Sequence, residues 1–288
     1  MLSATRRFRL LAAVSAALLL VAALAVAGCG GKSKGSDVPP QQRVETALKN
    51  AANITSGKSK LDATIAMGSL PGSFKLTGGG PFDTKAEGGA AFDIKLKVNI
   101  AGFDQTIGLI AVDGDNYVQI GDKAFKSKQN DPTSGAIDPK SIQALINSLS
   151  KYVSDIKQTG TKTVAGQQLD TYSMTIDLGA LAKDSLQDNK ANNASIPGLG
   201  NVADLAKSLG KATATVGIGS DDYPHEIGLN ATAGNATDGG SGGGGIRGTL
   251  VLTDINKPVT INKPTNIVTD SSALQALGGM LGGLSGGQ

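Results

Sequence analysis

Few residues of this 288-residue chain could carry out chemistry: one histidine, one cysteine and two close pairs of aspartates. His225 is the single histidine, so a zinc site would have to be completed by carboxylates, and a Ser-His-Asp triad would need this residue. It follows Pro224 at the start of an expected strand, which predicts a histidine on the surface or in a turn. The sequence therefore gives little support for a zinc site or a serine hydrolase.

The two aspartate pairs, Asp113/Asp115 and Asp221/Asp222, lie between expected strands. Paired carboxylates can bind calcium or exchange protons, but aspartate is also favoured in turns, where its short side chain bonds to the backbone. Neither pair belongs to the Asp-x-Asp-x-Asp-Gly loop of an EF-hand. We expect both pairs to be turn residues, and we predict that the protein is not an enzyme and uses no metal or other cofactor.

Cys29 is the only cysteine, and it follows an uncharged run over residues 10–26 that three arginines precede. A charged start, an apolar run and small residues before a cut are typical of a secretory signal. The last four residues, Val26-Ala27-Gly28-Cys29, resemble the bacterial lipobox, in which the cysteine is diacylated and becomes the mature N-terminus. A plain secretory signal and an uncleaved membrane helix are the alternatives, although the run is short for a span of about 20 residues. We predict lipidation at Cys29, which would anchor the protein at the extracytoplasmic face of the cell membrane.

Removing the signal changes the charge balance of the chain. Residues 1–28 contain three of the 27 basic residues and none of the 24 acidic ones, so 24 of each remain in a formally neutral body. No basic footprint for nucleic acid is left. The expected partners are the membrane, reached through the diacylglyceryl-cysteine, a lipid or glycolipid ligand, and an unknown transport partner in the envelope.

The mature chain divides by composition into a tether, one domain and a tail. Residues 29–40 read as a lipidated flexible tether, residues 41–266 as a single α+β domain and residues 267–288 as a Gly-rich tail. Apolar residues at helical spacing predict one amphipathic helix at 40–54 and another at 139–153.

Between these helices the apolar residues recur with a period of two. The clearest strand is 91–100, where Phe92, Ile94 and Leu96 alternate with Asp93 and Lys95. About ten such strands in hairpin-like runs favour an α+β fold with one large antiparallel sheet. A sheet of this width tends to curl, which predicts a half-barrel whose concave face is covered by the two helices.

Four segments resemble the LppX/LprG-type lipoproteins of actinobacteria, whose fold is similar to LolA and LolB. They are AGFDQTIGLIAVDGDNYVQIGDKAF (residues 101–125), VAGQQLDTYSMTID (164–177), DDYPHEIGL (221–229) and TLVLTDINKPVTINKP (249–264). The resemblance covers roughly residues 44–264 and contains no catalytic motif. It implies a half-barrel with an apolar cavity for acyl chains, in proteins that hold or move lipids across the envelope.

The sequence also offers candidates for the lining of such a cavity, all of them on the expected apolar face. They are Ile65, Met67, Phe74, Leu76, Phe92, Ile94, Leu96, Val98, Ile107, Leu109, Leu145 and Leu149. A filled core would present the same apolar face. The sequence therefore leaves two hypotheses open: a lipid-binding or lipid-carrying lipoprotein, and a surface-exposed structural or protein-interaction lipoprotein without a ligand.

Overall fold

The computed structural model describes residues 38–66, 73–100, 103–126, 151–180, 195–196, 200–201, 210–232 and 244–268. One helix and fourteen strands have bounds within these residues. They are α1 (Pro40–Ala51), β1 (Ser56–Ala66), β2 (Ser73–Asp83), β3 (Ala91–Ile100), β4 (Phe103–Val112), β5 (Asp115–Ile120), β6 (Lys123–Lys126), β7 (Val153–Val164), β8 (Gln167–Asp177), β9 (Ser195–Ile196), β10 (Gly200–Asn201), β11 (Lys211–Ile218), β12 (Pro224–Thr232), β13 (Gly245–Thr253) and β14 (Ile267–Val268).

Twelve of the strands form one open sheet in the order β14-β6-β5-β4-β3-β2-β1-β13-β12-β11-β8-β7. Every neighbouring pair is antiparallel except β14 and β6, which are parallel. The large antiparallel sheet predicted from the sequence is confirmed, with two more strands than the ten expected. The short strands β6 and β14 were not predicted, and β14 belongs to residues that the sequence assigned to the tail.

The strand pairing gives the sheet one apolar face. Directly paired residues project to the same side, and alternate residues of a strand project to opposite sides. One row of paired residues crosses nine strands and contains only apolar side chains and a glycine: Tyr172, Val216, Ile227, Leu250, Leu61, Gly78, Leu96, Ile107 and Ile120. The neighbouring row, on the other side, is polar: Ser173, Thr215, Gly228, Thr249, Asp62, Thr77, Lys97 and Thr106.

Helix α1 covers one end of the apolar face. Pro40 occupies the first turn, where a missing N–H costs nothing, and Lys49 lies in the last turn, where a cation is favoured. Val44, Ala47 and Leu48 are buried in one cluster with residues of β8, β11 and β12. The predicted helix at 40–54 is therefore present, although it ends at Ala51.

The second predicted helix differs from the expectation at its end. Residues 139–150 lie outside the described residues, but Val153 is the first residue of β7 and not the last of a helix. The predicted signal, the tether up to residue 37, residues 233–243 and the tail from 269 also lie outside the described residues.

Three consecutive glycines, Gly78–Gly80, mark the middle of β2. A Cβ atom would overlap the carbonyl oxygen of Lys95 at Gly78, of Ser59 at Gly79 and of Asp93 at Gly80. Gly78 and Gly79 also have φ angles of +151° and +142°, which other residues rarely adopt. These glycines let β1 and β3 approach β2 closely, as at the bends of curled sheets.

The chain after β13 crosses the polar face and covers an apolar patch there. Ile261 packs on a buried cluster formed by Ile110, Val112, Tyr117 and Ala124. The backbone N–H of Ala124 donates to the carbonyl oxygen of Asn266, which leads into β14. This segment explains why β4 and β5 carry buried apolar residues on both faces.

Candidate functional site: the apolar face and the turn beneath helix α1

The structure brings nine of the twelve predicted lining residues onto one face of four adjacent strands. Strand β1 provides one, β2 two, β3 four and β4 two: Ile65, Phe74, Leu76, Phe92, Ile94, Leu96, Val98, Ile107 and Leu109. Met67, Leu145 and Leu149 lie outside the described residues. That any of these residues lines a cavity stays a prediction.

Seven of these residues form two groups by burial, a buried centre and a partly exposed set around it, which we call the rim. Leu76, Leu96 and Ile107 are buried, with exposed fractions of 1 %, 7 % and 6 %. Ile65, Ile94, Val98 and Leu109 are partly exposed and pack around them. All members of the cluster centred on Leu76 come from β1 to β4, so within the described residues no second layer contributes to it.

The apolar face extends under α1 to residues that were not among the predicted lining residues. Tyr172 and Met174 of β8, Ala214 and Val216 of β11 and Ile227 of β12 are buried beneath the helix. For the residues of β8 and β11, the alternation with threonine and serine is visible in the sequence at 171–176 and 212–216. We call this part, β8, β11 and β12 with α1, the helix-covered half, and we call β1 to β5 the strand-only half.

A polar contact holds α1 against the turn between β11 and β12 (residues 219–223). Arg43 is buried, with 8 % of its surface exposed, and its Nη2 donates to the carbonyl oxygen of Gly219 at 3.1 Å. The same guanidinium forms an ion pair with Asp222. About two turns further along the helix, Asn50 Nδ2 donates to the carbonyl oxygen of Asp222 at 3.1 Å. Polar side chains near the two ends of α1 therefore both contact this turn.

Directly after this turn lies His225, which is buried with 7 % of its surface exposed. The expectation of a surface or turn histidine was wrong, because β8 and β13 enclose the ring. Its Nδ1 lies 3.2 Å from the carbonyl oxygen of Leu252, and its Nε2 lies 3.0 Å from both carboxylate oxygens of Asp221. The amide of Gln167 lies 3.1 Å from the same Nε2.

Asp221 and Asp222 are turn residues, as the sequence predicted. Asp222 has a φ of +64°, and the Tyr223 backbone N–H donates to Asp221. Burial by itself raises the pKa of Asp221, but the hydrogen bonds from His225 and from the Tyr223 N–H outweigh it and hold this pKa below its usual range. Asp221 is therefore ionised at neutral pH.

The other aspartate pair also serves the fold. Asp113 has a φ of +53° in the turn between β4 and β5, and Asp115 opens β5. Lys126 Nζ lies 2.7 Å from Asp115, and the hydroxyl of Tyr117 donates to it at 3.1 Å. These two hydrogen bonds, the Lys126 one foremost, lower the pKa of the Asp115 carboxyl. The Lys126 contact ties the β4–β5 hairpin to β6.

The described residues offer no metal site and no membrane-spanning helix. No group of three or more histidine, cysteine, aspartate or glutamate side chains among them could hold a metal ion. None of the helices in this part of the chain is both long and apolar enough to cross a bilayer.

Comparison with known proteins finds similarity in structure only. No protein-family profile and no curated protein sequence matches the chain. Among solved structures, LprF from Mycobacterium bovis is 16 % identical, and the match covers 82 % of this chain and 100 % of LprF with a TM-score of 0.49. The Mycobacterium tuberculosis lipoprotein LppX is also 16 % identical, with 79 % and 100 % covered and a TM-score of 0.44.

A third similar structure is a putative outer membrane lipoprotein-sorting protein domain from Vibrio parahaemolyticus. It is 9 % identical, with 82 % of this chain and 96 % of that chain covered and a TM-score of 0.25. The first two structures are lipoproteins of the kind that the sequence resembles, and this chain is similar to them.

Proposed function

We propose that this protein is a membrane-anchored lipoprotein that binds an acylated lipid or glycolipid on the apolar face of its sheet and carries it in the cell envelope. In this proposal Cys29 is diacylated, the sheet forms a half-barrel, and its apolar face is concave. The observation that carries the proposal is the apolar face along this nine-strand row, because partly exposed isoleucine, valine and leucine side chains flank the row in the strand-only half.

The dimensions of the face suit an acyl chain. Eight spacings between nine strands, at about 4.8 Å each, make the apolar row roughly 38 Å long. Removing a CH₂ group from water is worth about 0.8 kcal/mol, so a lipid chain lying along the rim would gain several kcal/mol. Ile65, Ile94, Val98 and Leu109 would contribute the contact surface that is still open.

Among the described residues of this half, the apolar face carries no charged side chain, and its polar residues are Ser59, Gln105 and Asn116. The row over β1 to β5 contains only apolar residues and Gly78, and the neighbouring lysines and aspartates project to the opposite side. A ligand held there would be recognised by the length and shape of its apolar part. Headgroup recognition would then come from other parts of the chain.

The test is lipid binding by a chain whose own acylation site is removed by Cys29→Ser, so that any lipid detected is a ligand. We expect native mass spectrometry to show co-purified lipid and expect a fluorescent fatty-acyl probe to bind at a saturable site. Ile94→Gln places a polar group on the apolar rim and is expected to weaken probe binding by about tenfold, the usual cost of an unpaired polar group in an apolar site.

Lys95→Gln is the matched control, because the next residue of β3 projects to the polar face. It is expected to leave probe affinity unchanged. A chain that purifies without lipid and takes up no probe would instead support the structural or protein-interaction lipoprotein with a filled core.

A further inference from the structure

The apolar row continues beyond β5 onto β6, and there its chemistry changes. Ile120 of β5 pairs with Lys123 of β6, so Lys123 projects to the apolar face in the same row as Ile107. Phe125, two residues further along β6, projects to the same side and is buried with Ile107 and Val118. The row therefore ends in a cation at its outer end, next to buried apolar side chains.

Among the described residues of β1 to β6, Lys123 is the one charged side chain that the strand pairing places on the apolar face. The other lysines of these strands project to the polar face, where several have carboxylate partners: Lys97 lies 2.8 Å from Asp104, and Lys126 lies 2.7 Å from Asp115. Lys123 is exposed, and none of the ion pairs within the described part of the chain includes it. Its ammonium group is therefore open to an anionic partner.

The carboxylates closest to Lys123 in the sequence do not neutralise it on this face. Asp122 is exposed in the turn that precedes β6, outside the rows of paired residues. Asp115 projects to the polar face, where Lys126 and Lys263 are its partners. The positive charge of Lys123 is thus the charge that a ligand on the apolar face would meet.

Partly exposed apolar side chains lead from Lys123 into the strand-only half. Val98 and Leu109 pack against both buried clusters of this half, so the apolar surface is continuous from one cluster to the next. Ile120 lies at the end near Lys123, and Ile94 and Ile65 lie at the other end. From β6 to β1 this surface crosses five strand spacings, roughly 24 Å at about 4.8 Å each.

We propose that Lys123 binds the anionic end of the acylated ligand, with a carboxylate or phosphate group at β6 and the acyl chain on the partly exposed side chains from Ile120 to Ile65. This inference rests on the proposed function and narrows its ligand to an acylated lipid with an anionic group. A lysine suits either group, because its ammonium is a point charge with three rotatable donors and sets no planar geometry.

A lysine near the edge of a sheet can also prevent pairing with another chain. Strand β14 already covers part of this edge, since Ile267 and Val268 pair with Ala124 and Phe125. Edge protection needs the charge of Lys123 but no ligand. A comparison of charged and neutral ligands therefore separates the two roles.

The test uses two forms of one fluorescent probe on the Cys29→Ser chain at neutral pH: cis-parinaric acid, which carries a carboxylate, and its methyl ester, which is neutral. Both have the same acyl chain, so a variant that affects only the acid acts on the carboxylate. We expect Lys123→Gln to weaken binding of the acid about fivefold, the scale of an exposed ion pair, and to leave the affinity for the ester unchanged. The effect on the acid should decrease at high salt.

Lys95→Gln is the matched control. Lys95 is also exposed and is also absent from the ion pairs within the described residues, but it projects to the polar face. This variant should bind both probes like the parent chain, and Lys123→Arg, which keeps the charge, should keep the affinity for the acid.

Competition against bound cis-parinaric acid identifies the source of the anion. Palmitate and palmitoyl lysophosphatidate carry a carboxylate and a phosphate on the same acyl chain, and the one that displaces the probe at lower concentration shows which group the site prefers. Neutral monopalmitin should be the weakest competitor of the three.

Three results would overturn the anionic site and leave the proposed function standing: equal losses for the acid and the ester in Lys123→Gln, no loss for either, or the same loss for the acid in Lys95→Gln. A parent chain that binds neither probe at a saturable site would overturn the proposed function as well. The two failures are therefore distinguished by whether the ester binds.

Discussion

The two halves of the sheet bury the same kind of side chain in different ways. In the helix-covered half, Val44 and Leu48 of α1 close over Tyr172, Met174 and Ile227, and the cluster contains thirteen buried residues. In the strand-only half, four buried residues, Leu61, Ala63, Leu76 and Leu96, are surrounded by partly exposed neighbours of the same strands. The same strand pattern is therefore a closed core beneath α1, whereas in the strand-only half a few central residues are buried and their neighbours are partly exposed.

The largest effect is expected at the three consecutive glycines of β2 in the strand-only half. Gly79→Ala would place a Cβ atom in the carbonyl oxygen of Ser59, which is backbone and cannot rotate away. We expect a loss of about 4 kcal/mol in the free energy of unfolding, or failure to fold, which is the upper range for single substitutions. Denaturant unfolding followed by circular dichroism measures it.

Gly121→Ala is the matched control for this glycine. Gly121 also has a positive φ, +61°, but nothing lies within 4 Å of its Cβ position. The control should cost only about 1 kcal/mol, the usual penalty of a left-handed non-glycine residue. Equal costs at the two positions would show that close strand approach does not shape the strand-only half.

A matched pair of isoleucines tests the difference in burial between the halves. Ile227 is 3 % exposed under α1, whereas Ile94 is partly exposed on the rim. Ile227→Ala is expected to cost about 3 kcal/mol because it leaves a closed cavity, and Ile94→Ala only about 1 kcal/mol because water already reaches the site. Thermal and denaturant unfolding of the two variants give the comparison.

A bound ligand should narrow the difference in cost between the two isoleucine variants. If a lipid covers Ile94, the cost of Ile94→Ala measured in the presence of the fluorescent acyl probe should rise toward that of Ile227→Ala, because the probe binds the parent chain better. A difference between the two variants that is the same with and without the probe would contradict an open apolar surface at Ile94.

Much of the strand-only half was predictable because its period is strict. The bounds of β3 coincide with the predicted strand at 91–100, where apolar and polar residues alternate from Phe92 to Ile100. The C-terminal part of β2 was harder to predict as a strand, because Gly78–Gly80 interrupt the alternation that Phe74 and Leu76 begin. Strands β6 and β14 have four and two residues, which are too few to show a period.

The polar turn of the helix-covered half could not be predicted from local sequence. His225 is buried by Leu252 and Gln167, which are 27 and 58 residues away along the chain. Arg43 meets Gly219 across 176 residues. Such contacts depend on the order of strands in the sheet, which periodicity does not give, whereas the turn itself was recognisable from Asp221 and Asp222.

The smallest predicted effect concerns stability at acid pH, and it again separates the two halves. The pKa of Asp221 is lowered in the folded protein, so its contribution to stability is complete above the pKa of an unfolded aspartate, about 3.9, and is lost as the pH falls through the lower folded value. Because 40 % of this side chain is exposed, solvent screening keeps the contribution under about 1 kcal/mol. Asp221→Asn should therefore flatten the decline of the unfolding free energy below about pH 4.

Asp104 in the strand-only half provides the comparison. Hydrogen bonds from Lys97 and then Asn99 lower the pKa of its carboxyl, but its partners are exposed on the polar face. Exposed pairs of this kind contribute little to stability. Asp104→Asn should therefore change the decline of the unfolding free energy at acid pH less than Asp221→Asn does. Denaturant titrations at several pH values between about 2.5 and 5 measure both slopes. A larger change for Asp104→Asn would mean that the turn beneath α1 is less tightly coupled to folding than the buried contacts of Arg43 and His225 imply.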